Sequence, residues 1–303
     1  MPDGVTVTRV LLSRVALVEN SAGGVGTASN DRGGCRERAA SRNIVGKSLR
    51  DIAALVKSWD FELASLGVAA LNSWLNSSEH LAALSSHAAL ANVQVVDSHL
   101  PLNSHLPLSR QTSGNFSPDP TTGYSFSRQT PGNPSMSGNS LTFPASRDLS
   151  HFSITIEQTD ANIFDTHPEK FAEKKVALIG HFAQGIKALS PYADLTVIER
   201  DPRGSDLPDT ACEYLLPEMD AVFITGMTVA NKTLPRLLDL AAHTRVYLVG
   251  PSVPCAPEVF GSSVQHIATS RVTDADLAFQ LGSIGARTPE MRPATVRFRL
   301  DID

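Results

Sequence analysis

The sequence predicts an α/β protein built on an open, mostly parallel sheet, preceded by a small α+β unit. Three observations carry this. Val176-Ala177-Leu178-Ile179 runs without a polar break into Gly180, as a parallel strand covered on both faces does. The pattern recurs at residues 195–198, 221–224 and 246–249, which run into Glu199, Thr225-Gly226 and Gly250-Pro251-Ser252. Helical spacing lies between the runs, as at Leu234, Leu237, Leu238 and Ala241. Strand, helix, strand at this rhythm implies right-handed βαβ units. Such sheets bind ligands at the carboxyl edge of their strands, which makes His181, Glu199, Thr225, Gly226, Pro251 and Ser252 the informative positions.

Bulk properties narrow the class. A chain of 303 residues, 42% hydrophobic, has room for one large domain or two ordinary ones. A net charge of −5 argues against a general nucleic-acid binder, which needs a basic face to displace counterions. No run approaches the ~20 apolar residues of a membrane span, and no apolar segment follows a basic start as in a signal peptide. The 3 cysteines, Cys35, Cys212 and Cys255, are too few and scattered for a disulfide framework. The expectation is a cytoplasmic protein with a small-molecule partner, neither nucleic acid nor membrane, and with a homodimer left open.

In chain order, residues 5–12, 15–18 and 25–28 read as a small antiparallel unit, with 29–43 as a loop. Ser48 is placed to cap a helix over 49–57, and Asp60 to cap one over 61–75 that is apolar almost all round. Residues 1–76 thus form the small domain. Residues 77–158 are rich in Ser, Asn, Pro, Gly and Thr, and short segments repeat: Ser98-His99-Leu100-Pro101-Leu102 returns as Ser104-His105-Leu106-Pro107-Leu108. Units this short cannot each bury a core, which predicts a disordered insertion. The part around 81–90 has the composition to extend the preceding helices. Residues 159–285 form the sheet domain, opening with Asp165 or Thr166 as a cap ahead of Pro168. It closes with a strand at 265–268 and a helix at 275–281 capped by Asp274. Residues 286–303 are a tail, with Val296, Phe298 and Leu300 alternating as in an edge strand.

Each candidate site has a structural and a functional reading. Gly180-His181-Phe182-Ala183-Gln184-Gly185 stands where a dinucleotide fingerprint stands, with Glu199 at the ribose position. Phe182 replaces the glycine that lets the pyrophosphate approach, which argues against a nicotinamide or flavin site. His181 at the working edge can move protons, bind a metal, or simply pack against a carbonyl. Asp209 or Thr210 with Glu213 fits a capping box; cleft-facing carboxylates are the less favoured reading. Gly226 followed by Thr228, Asn231 and Thr233 can form an anion nest or a helix cap. Gly250-Pro251-Ser252 is a rigid strand-end loop, and Cys255 is more simply a buried filler than a metal ligand. Of 9 histidines, His80, His87, His99, His105 and His151 fit no zinc spacing.

Taken together and in order, several motifs carry a resemblance. They are Gly180-His181-Phe182, Glu199-Arg200-Asp201-Pro202, Asp206-Leu207-Pro208-Asp209, Glu213-Tyr214-Leu215-Leu216-Pro217, Thr225-Gly226, Asn231-Lys232-Thr233 and Gly250-Pro251-Ser252. The series resembles the C-terminal domain of the heavy-metal chelation family. Ser65-Leu66-Gly67-Val68-Ala69-Ala70-Leu71-Asn72 resembles the small domain that accompanies it, itself similar to the N-terminal part of enolases. The resemblance implies a Rossmann-like domain and a ligand cleft between the two domains. It also implies a transition-metal ion or its chelate as cofactor or ligand, with His181 as its candidate ligand. The leading functional expectation is a non-redox binder of a small polar or metal-chelating ligand, lined by the residues named above. The alternative is a small-molecule enzyme, for group transfer or chelate formation, with His181 as general base. A nucleotide-binding regulator rests on Glu199 alone.

Overall fold

The computed structural model describes residues 1, 3–36, 43–89, 95–97, 154–159 and 161–302. The small domain opens with β1 (Val7–Leu12), β2 (Val15–Asn20) and β3 (Val25–Ser29), an antiparallel sheet in that order. Next come α1 (Leu49–Ala53), which tightens into a 3-10 turn through Lys57, α2 (Phe61–Leu75) and α3 (Ser78–Ala89). Leu63, Ala64, Leu66, Val68, Ala69 and Ala70 of α2 are all buried, so the helix is the core of this domain as its all-round apolarity predicts. The Asp60 carboxylate caps it, accepting from Glu62 N at 3.1 Å. Ser48 makes no such cap. It is held extended by a bridge to Thr6, and Leu49 N is satisfied instead by the Val5 carbonyl at 2.8 Å.

The second sheet contains β4 (Val95–Asp97), β5 (Ile154–Gln158), β6 (Lys175–Ile179), β7 (Asp194–Glu199), β8 (Leu207–Pro208), β9 (Ala221–Thr225), β10 (Arg245–Val249), β11 (His266–Val272) and β12 (Thr295–Ile302). Its order is β4-β5-β12-β11-β10-β9-β6-β7-β8. The run from β6 to β11 is parallel, and these strands, counted in chain order, lie as 3-2-1-4-5-6, the doubly wound order of a Rossmann-like domain. The connecting helices are α4 (Ala183–Leu189), α5 (Cys212–Leu215), α6 (Met227–Ala230), α7 (Leu234–Leu240), α8 (Pro257–Phe260) and α9 (Ala275–Ser283). Asp274 caps α9 through Leu277 N at 2.9 Å.

Three expectations are corrected. Residues 295–302 form neither an edge nor a tail: β12 pairs antiparallel with β11 on one side and β5 on the other. Phe298, Leu300 and Ile302 alternate into the core, and β5 brings a further apolar strand to cover the remaining edge. The stretch 77–158 is not uniform, since 78–89 are helical and 154–158 are β5; 90–94 and 98–153 lie outside the described residues. Before Pro168, neither Thr166 nor Asp165 caps. His167, in a left-handed conformation at φ 55°, precedes a 3-10 turn over Pro168–Phe171.

On one face of the sheet Phe223 is fully buried, stacked on Tyr247 at 4.3 Å and flanked by Phe164 and Phe171. Burying a side chain of this size contributes about 1.5–3 kcal/mol. This aromatic cluster fixes the 162–171 segment against the strand ends where the site lies. Among the described residues no helix is long and apolar enough to cross a membrane.

Candidate functional site

The strand order reverses between β6 and β9, and a cavity of about 670 Å³ opens at their carboxyl ends. It is lined by His181 and Phe182 after β6, Thr225 at the end of β9, Gly250 and Pro251 after β10, and Ser29 from the small domain. Gly180 and Gly250 sit at φ +112° and +113°, conformations L side chains rarely adopt, so glycine ends each of these strands. Phe182 packs on Phe164 with ring centroids 5.2 Å apart. Its ring occupies the turn that a pyrophosphate would have to approach.

Glu199 organises the turn. Its Oε2 accepts from His181 N at 2.8 Å and its Oε1 from Arg200 N at 2.7 Å. Both oxygens are thus engaged by backbone amides, where the fingerprint position suggested a carboxylate for a ribose. Arg200 reaches instead to Asp31 of the small domain, at 3.4 Å. His181 Nδ1 lies 2.8 Å from Asp206 Oδ2, a carboxylate only 4% exposed that also accepts from Arg203 N. A carboxylate can only accept, so Nδ1 carries the proton and a neutral ring keeps its lone pair on Nε2.

The remaining candidates serve other ends. Gly226 N donates to the Val249 carbonyl at 2.9 Å and Met227 N to Thr225 Oγ1 at 3.4 Å, so neither amide forms the expected anion nest. Gly226 is required by close approach, since a Cβ there would stand 2.7 Å from the Ser252 and Val253 backbone. Asn231 Oδ1 accepts from the Thr233 amide at 3.2 Å and its hydroxyl at 2.7 Å, a local turn ahead of α7, which has no side-chain cap. Asp209 begins a 3-10 turn without a side-chain cap, because Pro208 occupies the capping position. Glu213 is exposed and pairs with Arg236 at 2.5 Å, which holds its carboxyl below the usual range. None of Gly226, Asn231, Thr233, Asp209 and Glu213 lines the cavity. Burial raises the Cys255 thiol and pushes Cys212 up to about 11, so both are neutral fillers.

Two sets of contacts were not anticipated from the sequence. The first joins the domains. Ser29 N donates to the buried Ser252 hydroxyl at 2.8 Å, and Asn72 Nδ2 donates to both Thr27 O at 2.9 Å and Pro251 O at 2.8 Å. Asn76 Oδ1 accepts from Cys255 N at 2.8 Å. Ser252 therefore holds the site loop to the small domain and does not itself line the cavity. The second group is Arg287, Arg292, Arg297 and Arg299, which also line the cavity. The signal for the last two was present, as Arg297 and Arg299 alternate with Val296, Phe298 and Leu300 on one face of a strand.

The metal that the resemblance implies was tested against these residues. Among the described residues no group of three or more His, Cys, Asp or Glu side chains is gathered to hold an ion. One imidazole amid arginines does not fit a resident bare metal.

Fold and site together define a Rossmann-like domain with a small α+β domain packed at its strand ends and a cavity beside them. Two family models, both described as "Putative heavy-metal chelation", match residues 1–75 and 162–299, and the chain belongs to that family. An uncharacterized protein of Methanocaldococcus jannaschii is 36% identical over 139 residues, which are 43% of this chain and 53% of that protein. The chain thus spans about half the length of that curated relative. A crystal structure of a protein with unknown function from Desulfitobacterium hafniense matches with a TM-score of 0.69 at 24% identity, covering 99% of this chain and 94% of the other. One from Pyrococcus horikoshii, also of unknown function, matches with a TM-score of 0.62 at 16% identity over the same shares. At these identities the two structures show the fold.

Proposed function

We propose that the protein binds a small polar or metal-chelating ligand in the cavity at the carboxyl edge of β6, β9 and β10. The observation that carries this reading is the coincidence of the cavity with the strand-order reversal, where open α/β sheets bind ligands. Its volume suits a small organic molecule or a compact metal complex. His181, oriented by Asp206, offers Nε2 as a hydrogen-bond partner or as one further ligand to a metal already held by a chelator. Phe182 and Pro251 supply apolar wall. The family description supports the metal part of the reading.

The test is native mass spectrometry with metal analysis on protein purified under mild conditions, beside an Ala268→Trp variant. Ala268 lines the cavity, and an indole there intrudes into the space a ligand would use. The reading expects a small molecule, with or without metal, on the wild type and none on the variant. Equal retention by both proteins would contradict it.

A second reading is favoured by one observation. An imidazole whose Nδ1–H is held by a buried carboxylate is arranged as a general base. If the bound molecule is turned over, His181 is the group to take its proton at Nε2.

A further inference from the structure

We infer that the ligand of this cavity is a small polyvalent anion, bearing carboxylates or phosphates, and that metal enters only inside such an anionic complex. This rests on the cavity being the ligand site and adds the chemical class of what it takes. Arg287, Arg292, Arg297 and Arg299 line the cavity together with His181, and among the described residues no Asp or Glu lines it. A guanidinium stays protonated at any working pH. Arg299 is balanced by Glu157 at 2.5 Å, whereas Arg287 and Arg292 are exposed at the rim.

Arg299 and Arg297 already have partners, so the exposed Arg287 and Arg292 are the guanidiniums in this lining best placed to attract an anion. The planar fork of arginine matches the two oxygens of a carboxylate or phosphate, which a hydroxyl-rich neutral ligand cannot exploit as well. The same lining repels a free divalent cation. Excess negative charge on a chelator around the metal reverses that repulsion. Backbone placement agrees. Arg297 and Arg299 stand two residues apart on β12, so their side chains leave the same face. Arg287 precedes the 3-10 turn over Thr288–Ala294 that leads into this strand, and Arg292 lies in its last turn.

Calorimetric titration of the full chain with citrate, nickel citrate, inorganic phosphate and free nickel ion tests this. Citrate and nickel citrate should bind, phosphate more weakly, with affinity falling as salt is raised. Hydrogen bonds to charged groups contribute about 1.5–3 kcal/mol, so Arg292→Ala and Arg287→Ala should each weaken citrate roughly tenfold or more, with partial recovery in Arg292→Lys. Both positions are exposed, and an unchanged melting temperature shows that the variants are folded. Free nickel binding that depends on His181 but not on the arginines would overturn the anion inference and leave the cavity as the site. Citrate binding that survives Ala268→Trp would move the site elsewhere and overturn both. Absence of heat with all three anions at millimolar concentration would overturn the inference as well.

Discussion

The Ser29 amide donates to the Ser252 hydroxyl at 2.8 Å, joining the end of β3 to the loop after β10. Ser252 is 1% exposed, so this bond is made out of water. Ser252→Ala removes the acceptor and leaves a partly buried N–H without a partner, at a cost of about 1–3 kcal/mol. Urea unfolding should show that loss with native secondary structure retained. A change under 0.5 kcal/mol would mean that Asn72 and Asn76 alone hold the loop.

Gly226 is the contact point of the same loop. A methyl group there meets backbone atoms of Ser252 and Val253 at 2.7 Å, which cannot swing aside as a side-chain tip would. Gly226→Ala should destabilise by about 1–3 kcal/mol or more and weaken ligand binding, because Pro251 and Gly250 move with the loop. Thermal unfolding and titration of the variant check both. Wild-type stability would show that the loop has slack.

Glu199 separates a structural from a nucleotide role. Glu199→Ala removes a charged acceptor from the His181 amide after β6 and the Arg200 amide after β7, worth about 1.5–3 kcal/mol of stability. NAD and NADP should bind neither protein appreciably, since Phe182 fills the pyrophosphate position. Micromolar nicotinamide binding that vanishes in Glu199→Ala would make this a dehydrogenase candidate.

Acid sensitivity should trace in part to His80. Its Nε2 lies 3.2 Å from the Cys255 carbonyl, and burial lowers its pKa from the ordinary 6.5, with Glu258 and that carbonyl opposing. The unfolded chain therefore takes up this proton first as pH falls below 6.5. More protons on the unfolded state means that stability drops with falling pH until the folded value is passed. His80→Gln should flatten the dependence of the urea midpoint between pH 7 and 5. An unchanged slope would assign the acid sensitivity to other groups.

The parallel core was legible because β6, β9 and β10 each carry an apolar run ending in a turn, and one such segment can be read without knowing its neighbours. β5 was not, and β12 was read only as an edge or tail, because each needs the other: a five-residue strand such as Ile154–Gln158 beside low-complexity sequence gains meaning only once Phe298, Leu300 and Ile302 are seen to need cover. At the site, His181, Phe182, Thr225, Gly250 and Pro251 follow from the sheet-edge rule. Asn231 and Glu213 obey the same rule yet spend their polar atoms on Thr233 and Arg236. The arginine wall escaped notice because residues from 287 to 299 reach the site only when β12 is threaded between β11 and β5.

The central claim is the location of the ligand. The direct measurement is an amide chemical-shift map of the deuterated full chain titrated with nickel citrate, with the diamagnetic zinc complex as control. The cavity reading predicts that the amides of His181, Thr225, Gly250 and Ser270 shift together and saturate at one ligand per chain. It also predicts that they stay still in the Ala268→Trp variant. Saturable shifts confined to other residues, with these four unmoved, would contradict it.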